Sequence, residues 1–253
     1  MIGGIVILKK ESLNKAICSM ISLPDNAVVL DIGCRNALYL NTLNQLYPHK
    51  MKRAIGIDIS DRCFNQISYG MSIELKKMNC EDGLDFKDSE FDLVFVKDIL
   101  ECIYDKERFI KEIYRVLKPG GTVVCVNCDY DSIVFNGDNK NLISKTIHEY
   151  AITKQNWMND IDGWMGRRTF GTFQKTGLFK GEVTMYNIIE TEYKEGCYGY
   201  EFSRDIEWLT EKGGPLTSKE YCAFLKVLSN ANIDGQYIFV KPYYIYMGMK
   251  IGN

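Results

Sequence analysis

Five short apolar runs punctuate the first 130 residues: AVVLDIG at 27–33, AIGIDIS at 54–60, IELKKMN at 73–79, DLVFVKD at 92–98 and TVVCVNC at 122–128. Runs of this kind belong to strands buried on both faces, and the helical stretches between them make successive βαβ units. The clearest helical stretch is KERFIKEIYRVLKPGG, in which Phe109, Ile110, Ile113, Tyr114 and Leu117 recur at helical spacing until Pro119 and two glycines stop it. The expected fold class is therefore α/β, a doubly wound, mostly parallel sheet with helices on both faces.

The second half changes character. Twenty-one of the 31 aromatic residues, including all three Trp, lie between Tyr130 and Tyr246, yet this half still holds two strand-like runs, GEVTMYNII and QYIFVKPYYIYMGMK. They bring the expected strands to seven, and the aromatic-rich stretch after the fifth run reads as a small cap over the sheet's carboxyl edge. No Ser/Gly linker separates the halves, so one domain is expected.

Charge and cysteine use narrow the function. Thirty-one Lys plus Arg against 33 Asp plus Glu leave a net charge of −2, without the basic footprint of a nucleic-acid binder. Nine cysteines, an odd number scattered from Cys18 to Cys222, point to a reducing, cytoplasmic setting. The opening MIGGIVILKK has its charges after its apolar run, the reverse of a secretory signal, and no run approaches the roughly 18 residues that span a bilayer, so no membrane association is expected. Cys125 and Cys128 have C-x-x-C spacing, but residues three apart in a strand face opposite ways and no second pair completes four ligands, so no metal is expected.

Ligands of an open parallel sheet bind outside the carboxyl ends of the strands, where the strand order reverses. The first strand-to-helix turn, VVLDIGCRNALYL, has one glycine of the three in G-x-G-x-x-G, too few for a dinucleotide pyrophosphate, and no Walker-type phosphate loop occurs. Four segments in order, VLDIGC at 29–34, IGIDIS at 55–60, FDLVFVKDILECI at 91–103 and RVLKPGGTVV at 115–124, resemble the class I S-adenosylmethionine-dependent methyltransferases, particularly the small-molecule branch with the quinone methyltransferases. The resemblance covers roughly residues 27 to 128 and implies a Rossmann-like methyltransferase fold with S-adenosylmethionine as cofactor. It divides the single domain 1–253 into an N-terminal helical arm at 1–24, a cofactor-binding core at 25–129, a cap insertion at 130–180 and C-terminal strands and helices at 181–253. It also implies methyl transfer to a small-molecule acceptor at oxygen, nitrogen or carbon, releasing S-adenosylhomocysteine. The alternative is a catalytically degenerate relative serving as a cofactor-binding or regulatory partner.

The resemblance implies cofactor contacts from Asp31, Gly33, Cys34, Arg35, Asp58, Ile59, Cys80, Glu81 and Lys97. Gly33 permits a tight turn and close backbone approach; Asp31 either caps nearby amides or meets the cofactor's ammonium. Asp58, 25 residues after Gly33, can accept both ribose hydroxyls. Two departures stand out. Gly33-Cys34-Arg35-Asn36-Ala37 replaces two glycines of the family's Gly-x-Gly-x-Gly, and a residue with a Cβ is strained if position 35 needs a positive φ. Cys80 occupies the place of the acid that usually reaches the adenine amine, leaving Glu81 or Asp82 to substitute. On the acceptor side, Asp129 and His148 are the candidate catalytic groups, and Tyr130, Asp131 and Arg167 the candidate substrate contacts. Arg167 and Arg168 either hold an anionic substrate or pair with the aspartates that follow the fifth strand.

Overall fold

The computed structural model describes residues 10–64 and 73–252. The opening run read from MIGGIVILK therefore lies outside the described residues. The elements in chain order are α1 (Lys10–Ser19), β1 (Ala27–Ile32), α2 (Leu38–Leu46), β2 (Met51–Asp58), β3 (Ile73–Lys77), β4 (Phe91–Lys97), α3 (Lys106–Val116), β5 (Leu117–Cys128), β6 (Val134–Phe135), α4 (Lys140–Ile152), α5 (Met165–Thr176), β7 (Phe179–Glu190), α6 (Tyr198–Asp205), α7 (Ser218–Ile233) and β8 (Phe239–Lys250). Each of the seven apolar runs falls on a strand. The two-residue β6 is an addition that no run marked.

Strands β3, β2, β1, β4 and β5 lie side by side and parallel. The order reverses between β1 and β4, which places the ligand-binding crevice there. β8 runs antiparallel to β5, with Val126 opposite Ile245, and pairs along its whole length with β7. Beyond the end of β5 it also takes on β6.

Alternation along each strand builds the two cores. Val29, Phe95, Val124 and Val126 point into one cluster, while Leu30, Val94, Val123 and Cys125 point into the other. Cys128 joins the first cluster and Cys125 the second, so the C-x-x-C pair is split across the sheet. α3 closes the second face with Phe109, Ile110, Ile113 and Val116, and Asp105 caps its start by accepting from the Arg108 amide at 2.9 Å. Its last helical residue is Val116, so β5 already begins at Leu117, before Pro119.

The stretch 130–180 divides between two jobs. α5 packs on the sheet beside α3, burying Met165 and Phe173, while α4 and the loop 153–164 stand over the carboxyl edge. The helical cover also draws on the connection from β7 to β8: α4 touches α7 and the turn Ile206–Thr210, and Phe135 stacks on Phe202 and meets Phe224 edge to face. Among the described residues, no helix is long and apolar enough to cross a membrane.

Candidate cofactor and acceptor site

The turn after β1 holds three left-handed residues, of which one is a glycine. Gly33, Arg35 and Ala37 have φ of 77°, 48° and 53°, so every alternate residue is left-handed. At Gly33 the need is steric as well, since a Cβ would stand 2.3 Å from Ile99 Cδ1. Arg35 and Ala37 each carry a left-handed cost of about 1–2 kcal/mol. Arg35 turns its side chain outward, and its amide donates to Asp58 Oδ2 at 3.0 Å.

Asp58 ends β2 half-buried. Its other oxygen accepts from the Ser60 amide at 2.9 Å, so the carboxylate is aimed by two backbone donors and retains lone pairs for a ligand. It lines a cleft with Gly33, Ile59, Cys80 and Glu81, walled by Met78 and Ile99 and covered by Trp157 and Asn159. Glu81 is held in place there, its Oε1 accepting from the Tyr104 amide at 2.6 Å and its Oε2 from the Asn159 side chain. Asp82 does not line this cleft. Burial, then the charge of Glu81, pushes the Cys80 thiol up to about 12, so it stays neutral.

Behind the cleft lies a polar interior. Asp31 is 2% exposed, and its Oδ2 has no hydrogen-bond partner among the described residues. Burial raises its carboxyl to about 7; the charge of Asp58 adds to the rise and Lys97 opposes it. Lys97 pairs with Asp98 at the end of β4 and stacks over the Tyr243 ring, 4.9 Å from its centroid. The turn Leu100–Cys102 follows, and Glu101 within it is likewise 2% exposed. Its carboxyl is held well above the usual range by burial first and by Asp98 second. Tyr130 donates to Glu101 Oε1 at 3.4 Å, and Oε2 has no partner among the described residues.

The residues expected on the acceptor side are placed as follows. Asp129 is fully buried, and Arg167 binds it through Nε at 2.7 Å, Nη2 at 2.5 Å and its own amide at 3.0 Å. The carboxylate thus sits at the first turn of α5, where Gly166 lets the chains approach: a Cβ there would meet Asp129 Cβ at 2.7 Å. Arg168 pairs with Asp162 instead. His148 lies on the exposed side of α4, its ring nitrogen 3.1 Å from Asp131, which also accepts from the Trp164 indole at 2.7 Å. Tyr130 is the member of this set that bonds Glu101.

Glu101 and Asn159 were not singled out by sequence. Glu101 sits in the segment FDLVFVKDILECI, where a charged residue inside an apolar stretch was the available signal. Asn159 has no local signal, because long-range bonds place its loop: the amides of Asp160 and Asp162 donate to the carbonyls of Cys102 and Glu101 at 3.0 Å each.

Comparison with known proteins agrees with this geometry. Residues 30–125 match the family model described as a methyltransferase domain. Norajmaline N-methyltransferase of Rauvolfia serpentina is 25% identical over 200 residues, covering 77% of this chain and 63% of its own. The ubiquinone biosynthesis O-methyltransferase of Pseudomonas savastanoi pv. phaseolicola is 28% identical over 100 residues, covering 38% and 41%. The chain thus spans less than two thirds of either relative. Among solved structures, a putative methyltransferase from Bacillus halodurans superposes with a TM-score of 0.60 at 17% identity, over 94% of this chain and 99% of that one. The fold is thus that of the methyltransferase structures, and residues 30–125 are similar to a class I methyltransferase domain, with quinone methyltransferases among the similar relatives.

Proposed function

We propose that the protein is an S-adenosylmethionine-dependent methyltransferase acting on a small-molecule acceptor and releasing S-adenosylhomocysteine. The observation that carries this reading is the turn Gly33 to Ala37, whose three left-handed residues are retained although two glycines are gone, with Asp58 aimed at the cleft beside it. The same observation disfavours the degenerate alternative, since Arg35 adopts a left-handed backbone and keeps its side chain out of the cleft.

The residues present fit the cofactor. Gly33 is a cradle that a Cβ would fill, and Asp31 presents an unsatisfied buried oxygen suited to an ammonium. Asp58 would hold the ribose hydroxyls, and Ile59, Met78 and Ile99 would enclose the adenine, with Glu81 at its edge. Cys34, Arg35 and Cys80 contribute through the backbone and packing around them, and Lys97 through its charge beside Asp31. When bound, the cofactor supplies an electrophilic methyl group on a sulfonium. The chain's part is to align the acceptor with that methyl group and exclude water, which supplies much of the rate of an in-line displacement.

Calorimetric titration with S-adenosylhomocysteine tests the reading. One-to-one binding that Asp58→Ala weakens is expected, and a wild-type protein with no affinity for the nucleoside would overturn it.

A further inference from the structure

We infer that Asn159, carried on the loop 153–164 between α4 and α5, reads the edge of the cofactor's adenine, with Glu81 holding its side-chain amide in one orientation. The inference rests on the methyltransferase reading and deepens it by naming the residue that selects the base.

The place of Asn159 follows from the two cavities it borders. Cys80, Glu81 and Asn159 line the cofactor cleft and also a neighbouring cavity walled by Gly83, Arg108 and Phe109, which neither Gly33 nor Asp58 lines. These three residues therefore stand at the end of the cleft away from the turn and the ribose carboxylate, where the base of a nucleoside held by Asp58 would lie. The loop is docked at this end. The amides of Asp160 and Asp162 donate to the carbonyls of Cys102 and Glu101, and the Lys106 ammonium bonds both Asp160 Oδ2 and the Ile103 carbonyl at 2.8 Å each.

The other polar groups lining that end are already engaged. Asn79 accepts the Glu81 amide at 3.2 Å and donates to Asp82 at 3.0 Å, and the Trp157 indole donates to Gln155 at 2.8 Å. Glu81 accepts the Tyr104 amide on one oxygen and Asn159 on the other. The neutral Cys80 thiol is a weak donor. Asn159 spends one N–H on Glu81, while its Oδ1 and second N–H have no hydrogen-bond partner among the described residues.

Glu81 also decides which way the amide points. A carboxylate only accepts, so the nitrogen of Asn159 must face it, which leaves Oδ1 as an acceptor beside the remaining N–H donor. That pair complements adenine, whose 6-amino group donates next to a ring nitrogen that accepts. Hypoxanthine carries an oxygen at position 6 and would set one acceptor against another. The amide could turn over to meet it only by giving up Glu81.

Calorimetric titration of the full chain with S-adenosylhomocysteine and with S-inosylhomocysteine, its 6-oxo counterpart, tests the inference. The wild-type protein is expected to prefer the adenine form by about tenfold or more. Asn159→Leu keeps the volume of the side chain and removes both polar atoms, so the two affinities should come within about threefold of each other. Glu81→Gln, whose amide can face Asn159 either way, should narrow the preference as well. A residue that only shapes the loop would weaken both nucleosides alike, so the ratio of the two affinities is the readout. A wild-type preference below tenfold, or one that survives either substitution, would overturn the inference while leaving the methyltransferase reading in place. A wild-type protein that binds neither nucleoside would overturn that reading itself.

Discussion

Asp58 Oδ2 accepts the amide of Arg35 at 3.0 Å, so the carboxylate at the end of β2 holds the left-handed residue that stands where a glycine is usual. The bond links two sequence features that looked independent, an acid aimed at a ribose and a missing glycine. It gives the strained residue a local compensation.

Arg35→Gly should therefore change little. Removing the Cβ relieves a left-handed cost of about 1–2 kcal/mol, while the added freedom of glycine in the unfolded chain takes back about 0.4–1 kcal/mol. Stability by urea titration should stay within about 1 kcal/mol of wild type, and nucleoside affinity by calorimetry within tenfold. A larger change in either would show that the arginine side chain has a task in the site.

Asp58→Ala should do more than remove a ligand contact. Each charged hydrogen bond contributes about 1.5–3 kcal/mol, so affinity for S-adenosylhomocysteine should fall tenfold or more, and the amides of Arg35 and Ser60 lose their acceptor. Amide exchange at those two positions, measured in the nucleoside-free protein, should quicken in the variant.

Asp31 makes a pH dependence with a definite sign. Its folded carboxyl titrates at about 7 against an ordinary value of 3.8, so between those values the folded protein holds a proton that the unfolded chain has lost. Stability of the nucleoside-free protein should fall as pH rises from about 4 to 7, and Asp31→Asn should raise Tm at pH 8. Affinity for the nucleoside's ammonium end should rise over the same interval in wild type and be flat in the variant. A Tm at pH 8 that Asp31→Asn leaves unchanged would refute the assignment.

Arg167→Ala should cost about 3 kcal/mol by chemical denaturation, because it leaves the fully buried Asp129 carboxylate with the Arg167 backbone amide as its remaining donor from α5. His148→Ala, at an exposed side chain, should stay within about 0.5 kcal/mol.

Strand positions were legible because burial on both faces writes itself as uninterrupted apolar runs, and Asp31, Gly33 and Asp58 followed from where such runs end. The acceptor side was not legible in the same way. Asp129, His148 and Asp131 are polar residues near the right edge, but sequence does not say which of them are consumed by Arg167 and Trp164, partners 33 to 38 residues away. Glu101 stayed hidden for the converse reason: its Oε2 has no hydrogen-bond partner among the described residues, and no sequence pattern marks that. The cover drew on α6 and α7 as well as 130–180 because aromatic side chains announce burial without announcing against what.

The pairing of β7 has a consequence for how the molecule is made. Among the described strands β7 pairs only with β8, which emerges some fifty residues later, whereas β1 to β5 can assemble from neighbours already synthesised. Until β8 arrives, a twelve-residue strand bearing Val183, Met185 and Ile189 has both edges open. Such a nascent chain offers its stickiest surface after its ligand-binding core is able to form, so early nucleoside binding would not protect it, and a chaperone that shields an extended strand would.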